Sequence, residues 1–328
     1  MLLLRFDFRR APFSPVGMAD LYAGALEMAR WADNTPGASV LFSQHHRSPD
    51  GYLPSPLIMA SAVAACTQTL PITVGALLLL MYDPVKLAED MSVLDHLSRG
   101  RINYVIGLGY RDAEYAMFGV DPRQRGKQMD EYLGVLRQAF SGDEFSWRER
   151  VVQITPAPLT VGGPLCLYGG GTVAAAKRAA RLGMLFMPQS SNAEILKAYD
   201  DEAIANGHPP GMYQVTPEGC PTTVFVADDI DQGWRDYGPY MLHDAMVYAQ
   251  WLGADNAETS VYSAAKTVDE LRAKGGPYVV VTPTQALDLR AKFGMLALQP
   301  LSGGVPPELA WKSLRLIEEK VLPAMKSS

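Results

Sequence analysis

His45 and His46 stand side by side in a chain with only five histidines, directly after the apolar stretch Ala38–Phe42. An imidazole titrates near neutrality, so a histidine at a strand end can give or take a proton in catalysis. Adjacent residues of an extended segment point to opposite sides, so one of the pair faces a pocket and the other packs elsewhere. The same geometry argues against one metal held by both, and no metal site is expected. A second motif, Gly169-Gly170-Gly171-Thr172, runs straight into a helical stretch at 173–182. Its glycines let the backbone approach a phosphate, Thr172 suits an N-cap, and a helix start offers free amides and partial positive charge. It lacks the GK[ST] ending of a P-loop, so nucleotide hydrolysis is not suggested. Gly107-Leu108-Gly109 is a second glycine-lined strand end that could flank the same ligand. Gly75-Ala76 interrupts an apolar strand, which marks a bulge or a thin wall suited to a flat ring. The structural alternatives are a plain turn at 169–172 and a packing glycine at 75.

These motifs need a scaffold. The chain alternates strand-like segments (2–8, 38–42, 72–80, 101–108, 164–168, 184–188, 222–227 and 295–299) with helical ones. A doubly wound dinucleotide fold would carry GxGxxG after its first strand, where this chain has Arg9-Arg10-Ala11-Pro12. Eight βα units without that fingerprint predict an α/β fold, a single (β/α)8 TIM barrel over 1–328 with insertions. The excursions fall near 111–128, 141–163 (with a small hairpin) and 254–278. Function in such barrels collects at the C-terminal strand ends. That rule selects Ser43-Gln44-His45-His46-Arg47, the segment 107–112, the segment 169–172, Pro188-Gln189-Ser190-Ser191 and Ser302-Gly303-Gly304. Asp95, Ser98, Arg99 and Arg101 precede the fourth strand, so a stabilising role at the barrel's bottom is expected for them.

Composition narrows the partners. Basic residues number 29 and acidic ones 35, so the net charge of −6 gives no support to a nucleic-acid or anionic-membrane partner. Cys66, Cys166 and Cys220 are far apart and form no CxxC, as expected of buried thiols in a reducing cytoplasm. The longest apolar run, 70–82, is short of the ~20 residues of a membrane span. The first residues are apolar only as far as Arg5, less than the roughly 7–15 of a secretory segment. The expectation is a soluble cytoplasmic protein.

The stretch 82–101, beginning Tyr82-Asp83-Pro84 and ending Ser98-Arg99-Gly100-Arg101, followed by Gly107-Leu108-Gly109-Tyr110, resembles the bacterial luciferase-like flavin monooxygenases. Gln44-His45-His46 is similar to that family's Glu-His-His, and Ser302-Gly303-Gly304 through Trp311 fits its ending. The resemblance covers nearly the whole chain. It implies a barrel that binds reduced FMN or, in a sister branch, coenzyme F420. It makes His45 the active-site histidine, assisting proton transfer around the flavin or orienting the substrate. It places Gly75-Ala76 where the family often has a non-proline cis peptide behind the flavin ring. Gly107, Leu108 and Gly109 would flank the cofactor, with Gly170, Gly171, Thr172 and Gln189 around its phosphate. The implied activity is oxygenation of a small organic substrate with O2 and FMNH2 from a partner flavin reductase, in a homodimer or a heterodimer with a homologue. The alternatives are an F420-dependent hydride-transfer oxidoreductase, with Arg9, Arg10 and Arg111 receiving that cofactor's anionic tail, and a non-catalytic flavin-binding protein. There are two departures. Gln44 replaces a Glu, so any charge that residue supplies beside His45 is absent. Leu108 stands where luciferase has a phosphate-binding arginine, so that contact must come from elsewhere, with Arg111 the candidate, or be missing.

Overall fold

The last strand of the chain lies beside the first. In a computed structural model that describes residues 1–252 and 261–326, the strands are β1 (Leu2–Phe6), β2 (Ala38–Phe42), β3 (Ile72–Leu78), β4 (Ile102–Gly107), β5 (Phe145–Trp147), β6 (Arg150–Val152), β7 (Cys166–Gly170), β8 (Phe186–Pro188), β9 (Thr223–Val226), β10 (Tyr278–Val281) and β11 (Leu296–Leu298). All but β5 and β6 join one sheet in the order β10-β9-β11-β1-β2-β3-β4-β7-β8, and every pairing in it is parallel. Leu2 pairs with Leu296 on one side and Ala38 on the other, so the sheet wraps as a (β/α)8 barrel must. Helices α1 (Met18–Asp33), α2 (Pro56–Cys66), α3 (Pro84–Ser98), α4 (Asp112–Phe118), α5 (Arg125–Ala139), α6 (Val173–Arg181), α7 (Ala193–Ala205), α8 (Ile230–Leu252), α9 (Val268–Lys274), α10 (Pro283–Phe293), α11 (Pro307–Leu316) and α12 (Leu322–Lys326) complete the layers. The fold is the expected α/β barrel with insertions.

The period-2 pattern makes the core. In β1, Leu2, Leu4 and Phe6 are buried while Leu3 and Arg5 are only partly so. Local signals set the helix starts: Pro84 follows Asp83, whose carboxylate accepts from the Val85 and Lys86 amides. Trp31 and Trp311 meet edge to face at 6.0 Å and pin α1 to the C-terminal helices. At the barrel's bottom Asp95 accepts from the Thr160 amide and hydroxyl, and Arg101 donates to Thr67 and to the carbonyls of Ala64, Leu70 and Ser98. Both are structural, as their place before β4 implied. Among the described residues no helix is long and apolar enough to cross a membrane.

Three expectations need correction. The sheet has nine strands, not eight: β10 lies where the 254–278 excursion was drawn to its end. Its four residues are too few to stand out by pattern, and its ladder is to β9. The start of that excursion, 254–260, lies outside the described residues. The 111–128 excursion is not irregular, because it holds α4 and the first turn of α5; its polarity reflects helices with wide solvent faces. The third strand stops at Leu78, and Leu79–Met81 form a 3-10 turn. The 141–163 excursion carries the expected hairpin, β5 against β6.

Candidate active site

The end of β2 delivers Gln44, His45 and His46, and all three side chains are buried. His45 and His46 diverge as expected of neighbours on extended chain. The His45 ring lies edge to face with Tyr52, Tyr110 and Trp251 (4.9, 5.3 and 4.9 Å between centroids), while His46 packs on Phe118. The carboxylate missing from position 44 is supplied from α4. Glu114 Oε1 accepts from His45 Nδ1 at 2.9 Å, from the His46 amide at 2.7 Å and from Arg111 Nη1 at 3.2 Å. Gln44 itself brings no charge, as expected; the carboxylate beside His45 comes instead from Glu114, in a segment the sequence showed only as polar.

These contacts set the protonation states. Burial pushes the Glu114 carboxyl up, but the hydrogen bonds from His45 and the His46 amide and the charge of Arg111 outweigh it, and the group stays ionised below its usual value. Burial pushes the His45 imidazole down, Glu114 opposes, and the charges of Arg9 and Arg111 reinforce; the ring ends below its ordinary value and is neutral at pH 7. With Nδ1–H donating to Glu114, the Nε2 lone pair is left facing the Tyr110 hydroxyl at 3.3 Å. That is the arrangement of an oriented general base.

Gln44 has its own work. Its Oε1 accepts from the Leu78 amide at 3.0 Å, and its Nε2 donates to His46 Nε2 at 2.7 Å and to the Pro54 carbonyl at 3.4 Å. As acceptor, the His46 ring is neutral, and burial holds its pKa below the ordinary value. Gln44→Glu places a carboxylate on that nitrogen, so the His46 pKa is expected to rise. A histidine NMR titration checks this, and an unmoved His46 would refute it.

Next to His45 lies a buried cation. Arg9 is fully buried, and its Nη1 reaches Asp50 Oδ2 at 2.8 Å, its Nε Asp244 Oδ1 at 2.9 Å and, more distantly, Asp7 at 3.8 Å. Its guanidinium also lies over the rings of Tyr52, Tyr248 and Trp251, at 4.7, 4.4 and 4.2 Å. Arg111 sits 3.8 Å from the same Trp251 ring and donates to the His46 carbonyl at 2.6 Å. Arg10 donates to the Val16 and Ser14 carbonyls. Of the three arginines expected near an anionic tail, Arg10 and Arg111 are engaged internally, and Arg9 is ion-paired and fully buried with its Nη2 left without a hydrogen-bond partner.

The glycine motifs gather on the same end of the barrel. The Gly75–Ala76 peptide is cis. A Cβ on Gly75 would meet Val105 at 3.2 Å, and one on Gly107 would lie 2.7 Å from Ala76. Gly107 pairs with Gly169 and Gly170 with Pro188. Beyond them Thr172 caps α6, its hydroxyl accepting from the Ala175 amide at 3.2 Å. The first amides of α6 have no intrahelical acceptor and point outward. A Cβ on Gly171 would fall 2.6 Å from Gln189 Oε1, so these two residues close one side of the cradle. Leu108 packs partly against the core, and its carbonyl and that of Gly109 accept from the Tyr115 hydroxyl. Arg125, exposed, lies 5.7 Å over the Tyr115 ring. Glu114, Trp251 and Arg125 were not singled out in the sequence, and Tyr110 entered only as part of the 107–112 strand end. The only hint was an Arg111/Glu114 pair one helical turn apart. The strand-end segment Ser302-Gly303-Gly304 is buried and structural: the Gly304 carbonyl accepts from Ser14.

Fold and site together define a parallel α/β barrel whose C-terminal face holds an imidazole–carboxylate pair and a set of strand-end glycines. Residues 6–287 match the family of luciferase-like monooxygenases, and the chain belongs to that family. It is 33% identical over 142 residues to y4wF, an uncharacterized protein of Sinorhizobium fredii, a match covering 43% of this chain and 42% of that protein. The chain spans less than half the length of the curated relatives it matches. Among solved structures it is similar to monooxygenase RslO1 from Streptomyces bottropensis, with TM-score 0.75, 23% identity and 99% and 100% of the two chains covered. It is also similar to the oxygenating constituent of 3,6-diketocamphane monooxygenase of Pseudomonas putida, solved in complex with FMN. There the TM-score is 0.69, with 18% identity and 98% of each chain covered. At these identities the likeness establishes the fold.

Proposed function

We propose that this protein is a flavin-dependent monooxygenase that takes reduced FMN from a separate flavin reductase and uses O2 to oxygenate a small organic substrate. The observation that carries this reading is the neutral His45, oriented by Glu114, on the same barrel face as the strand-end glycines and the helix start. A structural relative solved with FMN supports the choice of flavin. The residues fit the cofactor. Gly75, Ala76, Gly107, Leu108 and Gly109 present a wall that is largely backbone, against which a flat ring would lie. Gly170, Gly171, Thr172 and Gln189 surround the outward amides of α6, which suit a phosphate. The reduced flavin supplies the electrons and activates O2. The chain binds and orients it, limits water with the rings of Tyr52, Tyr110 and Trp251, and holds a proton acceptor at His45 Nε2. Pairing with a second copy or a homologue belongs to the same proposal.

Arg125 replaces Arg111 as the phosphate's counter-charge in this reading. It stands on Tyr115, which braces the 108–109 turn one ladder position beyond the Gly107–Gly169 pair. Arg125→Ala is expected to weaken FMN binding roughly 10-fold, the measure of one charge-assisted hydrogen bond, and to leave riboflavin binding unchanged. Fluorescence titration with both compounds tests it; equal losses for the two would remove Arg125 from the phosphate site. Comparative titration with reduced FMN and F420 tests the cofactor itself. A protein that binds F420 and not FMN, or neither, overturns the proposal, and unaltered turnover in a His45 variant would favour the non-catalytic alternative.

A further inference from the structure

We propose that the substrate is a flat, uncharged hydroxyarene whose hydroxyl is deprotonated through Tyr110, with Tyr110 as a further catalytic residue. The inference rests on the flavin-monooxygenase reading and goes further, to the class of substrate. Glu114, His45 and Tyr110 are connected in series: Oε1 to Nδ1 at 2.9 Å, then Nε2 to the phenol oxygen at 3.3 Å. His45 is buried, whereas Tyr110 is more than a third exposed on the barrel face. The Nε2 side of the imidazole meets the phenol oxygen, and the residue that carries it reaches the surface of the barrel face. A substrate hydroxyl that donates to the Tyr110 oxygen completes a relay. Its proton passes to Tyr110 as the Tyr110 proton passes to His45 Nε2, leaving a substrate phenolate and an imidazolium paired with the Glu114 carboxylate. Atoms and charge balance, and no redox partner is needed for this step. Burial keeps the Tyr110 phenol protonated far above neutral pH, so it passes a proton on and does not store charge.

Two further observations set the ring and its charge. Tyr110 and Trp251 are the less buried members of the aromatic group around His45, and an aromatic group of this kind accepts planar rings through edge and face contacts. The cations nearby sit among carboxylates: Arg9 against Asp7, Asp50 and Asp244, with its buried Nη2 left without a hydrogen-bond partner, Arg111 against Glu114 and a carbonyl, and both against the Trp251 ring. A sulfonate or carboxylate substrate would meet those carboxylates and Glu114.

The test uses 4-nitrophenol, whose phenolate absorbs visibly, with the full-length protein free of flavin. The phenolate band of the bound probe is expected at a pH at least one unit below that in buffer. Tyr110→Phe should abolish that shift and weaken binding about 5-fold, the measure of one neutral hydrogen bond. 4-Nitroanisole, which lacks the hydroxyl, should bind the native protein as weakly as 4-nitrophenol binds the Phe variant, and 4-nitrobenzenesulfonate should not compete. An unshifted band, a Phe variant that ionises the probe like the native protein, or tighter binding of the sulfonate would overturn the proposal. Because flavin is absent, these outcomes are separate from the FMN titration: failure to bind FMN with a shifted probe indicts the cofactor, and the converse indicts the substrate class.

Discussion

Arg9→Met is expected to destabilise the protein by about 3–5 kcal/mol, and by more at pH 8 than at pH 5. Methionine fills much of the volume, so the loss is electrostatic and not a cavity effect. Removing the guanidinium leaves Asp7, Asp50 and Asp244 facing one another in a water-poor site. The sign with pH follows from the carboxyls. Burial, with Asp244 opposite, raises Asp7 to about 7 even while Arg9 holds it down, and burial raises Asp244 likewise. A raised acid binds its proton in the folded state where the unfolded chain has lost it. Its contribution is fully present below the unfolded value of 3.8 and is lost as pH rises toward about 7. Without Arg9 both acids rise further and the ionised pair costs more, so the deficit widens as pH increases through this window. Asp50 is different: burial raises it, but His243, Arg9 and Ser48 together hold it well below the usual carboxylate range, so its loss on substitution appears at every pH above that range. Denaturant unfolding at the two pH values measures the effect; an equal loss at both would show that Arg9 acts only by packing.

His45→Ala should lower product formation in a reductase-coupled assay by about 10²–10⁴-fold, the range for loss of a positioned general base. Glu114→Gln separates this role from simple packing. The base works in its neutral form, so activity falls as pH drops through the His45 pKa, which lies below 6.5. Glu114 raises that pKa by stabilising the imidazolium. Its removal therefore moves the acid limb of the pH–rate profile to lower pH while reducing turnover, because the ring loses the acceptor that fixes its tautomer. An acid limb that stays in place or moves up would exclude the pair as a catalytic unit, and His45→Ala with native turnover would exclude His45 itself.

Much of the site was legible because its parts are local. Gly75 interrupts an apolar strand, Gly107, Gly109 and Gly170 lie at or just past strand ends, and Thr172 precedes a run of alanines, so chain chemistry alone placed each of them. The β10 strand was not legible, since four residues beside the long 254–278 stretch carry too little pattern to separate a strand from loop. The polar run after β4 was read as a loop because helix α4 has seven residues and a narrow buried face.

The sequence by itself determined the alternation of strands and helices, the barrel, and the end on which His45 and the glycines lie. Hydrophobic period, proline starts and glycine turns act between residues a few positions apart, and that information is complete in one dimension. The tertiary structure decided which charges meet. Glu114 stands 69 positions from His45, and Arg9 draws its carboxylates from the residue just after β1, the β2–α2 loop and α8. A buried charge takes the partner that the packed strands and helices bring within about 3 Å, and no local pattern records that choice. For the same reason the carboxylate that serves His45 is Glu114's, on a helix whose facing of the site was hinted at only by its spacing from Arg111.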